Sequence, residues 1–455
     1  MQPLRPEIGN EGLDRCSITA EGRISLISAG FGAVYMIGSR LKFMIQNLRE
    51  RLWIKPLGYA LIALAVVYIA HFADGLGIDS LAPDIQSDTI EKLLTVLSAS
   101  MLGVATFAVA SMVSAYASAG SNATPRAFSL LIADGQSQTA LSSFIGAFIF
   151  SIVGLIPLKV GFFGTAGRFT LFLATLVIFA WVVLTFVRWV DNIARLGRLG
   201  NTVAKVEQAT REAFGEWPAR APLGAKPITA TLQEPLAIFS DEVGFIQHIE
   251  MESLEEWAKE NNAFIEVCSY PGTFVGPNRP LARIHLRQEG KMPDVVEARE
   301  AFLIADCRSF STDPRFGLIT LSEIGSRALS PGINDPGTAI DIAVRMARII
   351  REWDTQQAKT EPVESFERIL VSGLDPADLV EDAFGAISKD GVSSVEFGVW
   401  LQKSLAILTE STSASLSGAA RKQAELALER ARMNLDFPHD VERIEQAHRN
   451  AFEKR

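Results

Sequence analysis

The sequence predicts an α-helical membrane domain of four transmembrane helices, followed by a cytosolic α+β domain with a small β-rich module and a helical part. The first observation is that long apolar stretches are concentrated between residues 57 and 190. The second is a run of short segments rich in β-forming residues over 228–290. The third is a return to helical patterning over 291–455. The chain is therefore expected to have two structurally unlike halves.

Four apolar stretches carry the membrane prediction. They are Leu57–Phe72, Leu93–Ala117, Thr139–Leu158 and Phe169–Val187. Roughly 20 apolar residues are needed to cross a hydrocarbon core that is ~30 Å thick. The last three stretches meet this length with no charged residue inside, whereas the first needs the residues just before Leu57. All four are predicted to span a bilayer.

The domain boundaries follow these changes of pattern. We expect a leader at 1–43, the transmembrane domain at 44–190, a connecting helix and linker at 191–227, the β-rich module at 228–290 and the helical domain at 291–455. The apolar part of the leader, 24–38, is too short to span a bilayer. The leader is therefore expected to be disordered or interfacial, or to precede a true start at Met44.

Charges between the apolar stretches predict the orientation of the chain. Basic residues dominate before the first stretch and after the fourth. The loop after the first stretch is acidic, with Asp74, Asp79, Asp84, Asp88 and Glu91. Lys159 and Arg168, in the third loop, disagree with this pattern. The best fit is a multi-pass protein of the bacterial inner membrane with both termini in the cytoplasm.

Composition and short motifs exclude several classes of function. A formal net charge of −9 lacks the basic footprint of a nucleic-acid binder. Three cysteines are too few for a disulfide scaffold and show no C-x-x-C spacing. The five histidines show no metal-ligand spacing, and no phosphate-binding P-loop or G-x-S-x-G motif occurs. We therefore expect no catalytic set, metal site or cofactor, and we favour a protein that is not an enzyme.

The β-rich module should consist of short strands around one helix. The expected strands are Ile228–Leu232, Gly244–Ile249, Ala263–Cys268 and Leu281–Leu286, with a helix at Met251–Asn261. Residues 269–284, SYPGTFVGPNRPLARI, resemble the second half-motif of biotinyl- and lipoyl-type barrel-sandwich domains. No Lys occupies a hairpin tip, so we expect a structural module rather than a lipoylated carrier.

Three helices of the last part should begin with the same device. Asp313-Pro314, Asp335-Pro336 and Asp375-Pro376 each place an acceptor side chain at the N-cap and Pro at the first helical position. The last clear helix is predicted at about Ser415–Leu435, before Pro438. The helical pattern therefore predicts where these helices begin as well as where they lie.

The stretch 313–339, DPRFGLITLSEIGSRALSPGINDPGTA, carries a resemblance to a known family. It resembles the signature of the domain of unknown function 2254 family of predicted bacterial membrane proteins. Residues 116–150 and 49–56 agree with this family, so the resemblance covers about residues 44–435. It implies four membrane helices and a cytosolic tail, and it implies no activity.

A polar cluster around the SPGINDP segment, residues 330–336, is the first candidate site. Its members are Asp313, Arg315, Glu323, Arg327, Asn334, Asp335 and Asp341. Carboxylate, amide and guanidinium groups in one region can bind a cation or a polar ligand. The alternative, which we favour, is capping, turn formation and an Arg–carboxylate network.

A stripe on the second membrane helix is the other candidate. Ser100, Phe107, Ser111, Ser114 and Ser118 fall on one side of this helix, where hydroxyl groups could line a water-filled path. The alternative, again favoured, is close helix packing through small residues.

Two hypotheses of function follow from these sites. The first is a homo-oligomeric membrane protein with a channel-like membrane region that the cytosolic domain assembles or gates. The second is a membrane-tethered enzyme or ligand sensor that uses the polar residues around SPGINDP. The expected partners are the lipid bilayer and further copies of the chain, and no nucleic acid.

Overall fold

The structure, a computed structural model, describes residues 54–76, 83–122, 124–132, 135–196, 198–218, 222–228, 235–286, 293–357 and 365–453. The expected leader at 1–43 and residues 229–232 of the first expected strand lie outside these ranges. The described residues form two compact units that divide in sequence between Lys205 and Val206. The unit before this division and the unit after it are called the first and the second unit.

The first unit is a bundle of long apolar helices. Helix α1 spans Ile54–Ala73, α2 Ser87–Asn122, the short α3 Pro125–Ile132, α4 Gly135–Lys159 and α5 Thr165–Leu196. Helix α4 packs against α1, α2 and α5, and large side chains such as Phe144, Phe150 and Leu171 fill the interior. Each of the four long helices is long and apolar enough to cross a membrane, which confirms the four predicted stretches.

Asp74 links two helices of the bundle. It follows α1 directly, and its carboxylate accepts hydrogen bonds from the backbone N–H groups of Gly164 at 2.8 Å and Gly167 at 2.6 Å. These N–H groups belong to the beginning of α5, where the first turn of a helix has no internal acceptors. The carboxylate also interacts favourably with the positive end of the helix dipole.

The two basic residues that disagreed with the orientation pattern have acidic partners. Lys159 Nζ lies 2.8 Å from Glu91, and Arg168 Nη2 lies 2.8 Å from Asp84. Both acidic residues belong to the segment that connects α1 and α2 or to the start of α2. Each of these two basic residues therefore forms an ion pair with a carboxylate of the acidic segment before α2 or of its first turns.

The second unit begins with a helix and two small sheets. Helix α6 spans Leu199–Gly215 and crosses the division between the units in sequence. The strands are β1 Lys226–Pro227, β2 Leu236–Phe239, β3 Gly244–Ile249, β4 Ala263–Val267, β5 Phe274–Val275, β6 Pro280–Leu286, β7 Phe302–Ala305 and β8 Ile369–Val371. The short helices α7, Met251–Glu260, and α8, Val296–Glu300, lie between them in sequence.

The strand order decides how this part is built. Five strands form a mixed sheet in the order β1-β8-β4-β6-β2, and three form a second sheet in the order β5-β3-β7. The expected strands at 244–249, 263–268 and 281–286 are confirmed within one residue, as is the helix that begins at Met251. The β8 strand arrives from beyond residue 290 and pairs with β4 in parallel. A sheet-containing domain is therefore present, but the barrel-sandwich resemblance is not confirmed.

Side-chain alternation explains the β4 strand. Ala263, Ile265 and Val267 are buried in the core, whereas Phe264 and Glu266 point to the opposite face of the sheet. This alternation places a polar side chain in the middle of an otherwise apolar strand.

The rest of the second unit is helical. Helix α9 spans Pro314–Ala328, α10 Pro336–Gln357, α11 Pro376–Asp390, α12 Val395–Leu408, α13 Ala414–Asn434 and α14 Pro438–Phe452. The three Asp-Pro starts are confirmed. Asp313 accepts from the N–H of Phe316 at 3.1 Å, Asp335 from that of Thr338 at 3.0 Å and Asp375 from that of Ala377 at 2.9 Å.

One prediction about this part was wrong. The helix predicted at about Ser415–Leu435 is present as α13, but it is not the last helix, because Pro438 is the first residue of α14. Proline is compatible with the first helical position because its missing N–H would have no partner there. Ile444 and Phe452 of α14 are buried, so packing supports a helix whose other residues are mostly charged or polar.

Candidate functional site

The polar residues around the SPGINDP segment have several separate sets of partners. Asp313 is 2% exposed and accepts two hydrogen bonds from Arg308, at 2.7 and 2.9 Å, besides capping α9. Burial raises the pKa of Asp313 above its ordinary value, and the Arg308 guanidinium opposes this effect. Asp313 therefore acts as a buried cap that holds the start of α9.

Arg315 points to a different set of partners. Its Nη1 donates to Asp378 and its Nε donates to Asp382, both at 2.6 Å. These carboxylates belong to α11, so Arg315 ties α9 to that helix. Glu323 and Arg327 lie further along α9, half-buried, and both have polar contacts of their own.

The remaining members lie at or after the turn between α9 and α10. Asn334 is exposed with a φ of 51°, a left-handed conformation that Asn tolerates better than most residues. Asp335 also accepts from the hydroxyl of Thr338, which together with the Thr338 N–H lowers the pKa of its carboxyl. Asp341 is exposed and accepts from Arg345 at 2.7 Å. Capping, turn formation and ion pairing therefore account for the contacts of Asp313, Arg315, Asp335 and Asp341.

A charged group that the sequence did not indicate lies between α6 and α10. Glu207 is buried and accepts hydrogen bonds from Arg211 at 2.8 Å, from Arg348 at 2.7 Å and from Arg345. Burial opposes ionisation of Glu207, but the three arginines outweigh it and lower its pKa to about 2. The sequence places Arg345 and Arg348 on one helix face, but this spacing does not indicate which acidic residue they contact.

The stripe on α2 lies on the outside of the bundle. Ser100, Phe107, Ser114 and Ser118 are exposed, and Ser111 is half-buried. The face that α2 buries in its own bundle is a different one, with Leu94, Leu97, Met101, Ala105, Ala108 and Met112. The stripe is therefore not the surface by which α2 packs within this chain.

A cleft in the second unit was also missed. It has a volume of about 290 Å³ and is lined by Glu266, Val267, Cys268, Tyr270, Arg279, Pro280, Arg283 and Ser372. The parallel strands β4 and β8 pair in register at Val267 and Val371, so Cys268 and Ser372 follow their carboxyl ends side by side. Most of the other lining residues come from the 269–284 segment, which the sequence marked only as a structural module.

Polar groups of the cleft hold one another in place. Glu266 accepts from Arg283 at 2.9 Å, and its other carboxylate oxygen lies 3.2 Å from Nε2 of the buried His285. The Tyr270 side chain lies beside Ser372, and burial raises the pKa of its hydroxyl. Burial also raises the pKa of the Cys268 thiol, so this group stays protonated near neutral pH. Chemically, the cleft offers hydrogen-bond donors and positive charge rather than a nucleophile.

The described residues contain no group of three or more His, Cys, Asp or Glu side chains placed to hold a metal ion. The stretches outside the described ranges are not covered by this finding.

Comparisons with known proteins identify the family. The sequence model of the family described as "Predicted membrane protein (DUF2254)" matches residues 49–406. The chain is 24% identical over 335 residues to an uncharacterized protein of Mycobacterium tuberculosis and to one of Mycobacterium bovis. These matches cover 68% of this chain and 62% of each relative, so the chain spans less than two thirds of the relatives' length. No solved structure matches the chain. Because the family match covers most of its length, the chain belongs to the domain of unknown function 2254 family of predicted membrane proteins.

Proposed function

We propose that the chain is an inner-membrane protein, with both termini in the cytoplasm, that self-associates through the exposed face of α2. The copies together enclose an ion-channel-like path, which the second unit assembles or gates. The single observation that carries the proposal is the outward position of the hydroxyl-bearing stripe on a membrane-length helix.

The interior of the bundle supports a path between copies rather than within one copy. Helix α4 occupies the centre, where Phe144 and Phe150 are fully buried. Interiors packed in this way leave no room for a column of water. Hydroxyl groups that line a path would therefore need to come from the outer face of α2.

Small residues beside the stripe support close approach of a second helix. The exposed small residues of α2 include Ala99, Gly103, Thr106 and Ala110. Small side chains let helix backbones approach closely in a membrane, where packing drives association. A Cβ atom added at Gly103 would meet no other atom within 4 Å in this chain, so the space beside it is open.

The experiment replaces Gly103 by Leu. We expect the purified protein to be a symmetric oligomer in detergent and to pass ions in liposomes. Gly103→Leu should reduce both the mass of the particle and the ion flux, because the larger side chain blocks approach of the second α2. Light scattering after size-exclusion chromatography measures the mass, and an ion-sensitive dye in the liposomes measures the flux.

Gly58→Leu is the matched control. Gly58 lies on α1 and also has open space around it, so the same change there should leave mass and flux unaltered. A monomeric particle without flux under any potential would refute the proposal. Equal losses of particle mass and ion flux in Gly103→Leu and Gly58→Leu would show that α2 is not the interface.

The alternative of an enzyme or sensor at the SPGINDP segment is not the basis of this proposal. Asp313, Arg315, Asp335 and Asp341 are engaged in caps and ion pairs. A ligand would have to displace these contacts, which cap α9 and α10, tie α9 to α11 and pair Asp341 with Arg345.

A further inference from the structure

The cleft beyond β4 and β8 has hydrogen-bond donors from separate stretches of chain. Arg279 and Arg283 come from the turn before β6 and from β6 itself, whereas Ser372 comes from the residue after β8. Tyr270 also lines the cleft and lies beside Ser372. A group bound in the cleft would therefore meet N–H and O–H donors from more than one direction.

The charge of the cleft is not balanced. Glu266 is the only carboxylate among its lining residues, and it pairs with Arg283. Arg279 is exposed, and within the described part of the chain its guanidinium group forms no hydrogen bond or ion pair with another residue. One guanidinium charge of the cleft thus remains without a counterion, which favours an anionic ligand.

Glu266 fixes the position of the second arginine. One of its carboxylate oxygens accepts from Arg283, and the other lies next to Nε2 of His285. His285 is 5% exposed, so this pair is anchored on a buried side chain. The paired Arg283 still has further N–H groups for a ligand, since a guanidinium carries five donors.

The number and directions of the donors favour phosphate over carboxylate. A carboxylate is planar and presents two oxygens, which a single guanidinium can satisfy. A terminal phosphate presents three oxygens in different directions, and arginine forks match its geometry. Two arginines with Tyr270 and Ser372 provide donors for three oxygens.

We propose that this cleft binds the phosphate group of a small phosphorylated molecule, with Arg279 as its principal charge contact. The volume of about 290 Å³ suits a small ligand rather than a dinucleotide. Burial raises the pKa of the Cys268 thiol, so this group is a poor nucleophile and no covalent step is assigned to the cleft. This inference is independent of self-association through α2.

The test uses the full-length protein in detergent with pyrophosphate as the probe, at constant ionic strength. Isothermal titration calorimetry should show saturable binding of pyrophosphate and weaker binding of succinate. Arg279→Gln should weaken pyrophosphate binding by about tenfold or more, as expected for the loss of a charge-assisted pair. The affinity of Arg279→Lys for pyrophosphate should lie between that of the unchanged protein and that of Arg279→Gln. Lysine keeps the positive charge but lacks the planar guanidinium group that can donate two parallel hydrogen bonds.

Arg443→Gln is the matched control, since Arg443 is a similarly exposed arginine of the helical part that lies 3.8 Å from Glu396. It should bind pyrophosphate like the unchanged protein. Thermal unfolding without ligand should be the same for all variants, which separates loss of binding from loss of folding. Absence of pyrophosphate binding, equal binding by Arg279→Gln, or preference for succinate would each overturn the proposal.

Discussion

At position 207 a buried carboxylate is surrounded by three guanidinium groups. Glu207 and Arg211 lie one turn apart on α6, whereas Arg345 and Arg348 reach it from α10. Removing one partner from a buried charge pair costs more than the pair contributes, because the remaining charge stays desolvated. Glu207 is therefore the residue on which this contact between α6 and α10 depends.

Replacing Glu207 by Gln should reduce the free energy of unfolding by about 2 kcal/mol near neutral pH. This value is smaller than the free energy that corresponds to the full pKa shift, because the surrounding arginines are partly exposed to water, which screens the interaction. The pKa falls from an ordinary 4.5 to about 2 on folding. The carboxylate therefore contributes fully above pH 4.5, and its contribution is lost as the pH falls towards 2. Thermal unfolding of the full-length protein in detergent, followed by tryptophan fluorescence over this pH range, measures the difference.

The difference between the original protein and Glu207→Gln should shrink as the pH falls through this window. Glu396→Gln is the control, since that carboxylate is 62% exposed and lies 3.8 Å from Arg443. Exposed pairs of this kind contribute little. A constant difference at all pH values would show that Glu207 is not ionised in the folded protein.

At the scale of the helix, Asp74 joins the end of α1 to the start of α5. A capping carboxylate satisfies N–H groups that the helix itself cannot pair, and removal of such a cap typically costs about 1 kcal/mol. Here the cap comes from a residue about 90 positions earlier in the chain, as the sequence separation of its two contacts shows. It therefore fixes helix packing as well as the helix end.

Asp74→Ala should destabilise the protein by about 1–2 kcal/mol, because both N–H groups lose their acceptor. Asp84→Ala serves as the control, since Asp84 is 76% exposed and forms one ion pair with Arg168. The apparent melting temperature in detergent should fall clearly for the first variant and hardly at all for the second. Equal melting temperatures would show that the N–H groups find other partners.

For the molecule as a whole, the orientation across the membrane is the property most open to a direct test. Lys159 and Arg168 are the exceptions to the charge pattern, and they form ion pairs with Glu91 and Asp84. Most of the other basic residues near the membrane helices lie before the first apolar stretch or after the fourth. The loop before α2 is thus expected outside, and the second unit inside.

A cysteine introduced at Gln86 should react with a membrane-impermeant maleimide added to intact spheroplasts. A cysteine introduced at Glu453 should react only after the membrane is permeabilised. Both positions are exposed, so burial does not protect either of them. The opposite labelling pattern would reverse the proposed orientation.

Much of the secondary structure follows from the sequence because its causes are local. The apolar length of α2, α4 and α5, the alternation of β4 and the caps at Asp313, Asp335 and Asp375 depend on neighbouring residues alone. The role of Pro438 is ambiguous at the local level, since Pro can end one helical segment or begin the next. Only the burial of Ile444 decides between these outcomes, and burial is not local.

Local patterns in the sequence are enough to predict four membrane-length helices and a mixed α+β part, because periodicity and capping act over a few residues. Which polar groups meet depends on the tertiary structure. Glu207 is hydrogen-bonded to Arg345 and Arg348, Asp74 accepts from the start of α5, and Cys268 lies beside Ser372. Partners so far apart in sequence are selected by the packing of whole helices and sheets, which no local pattern encodes.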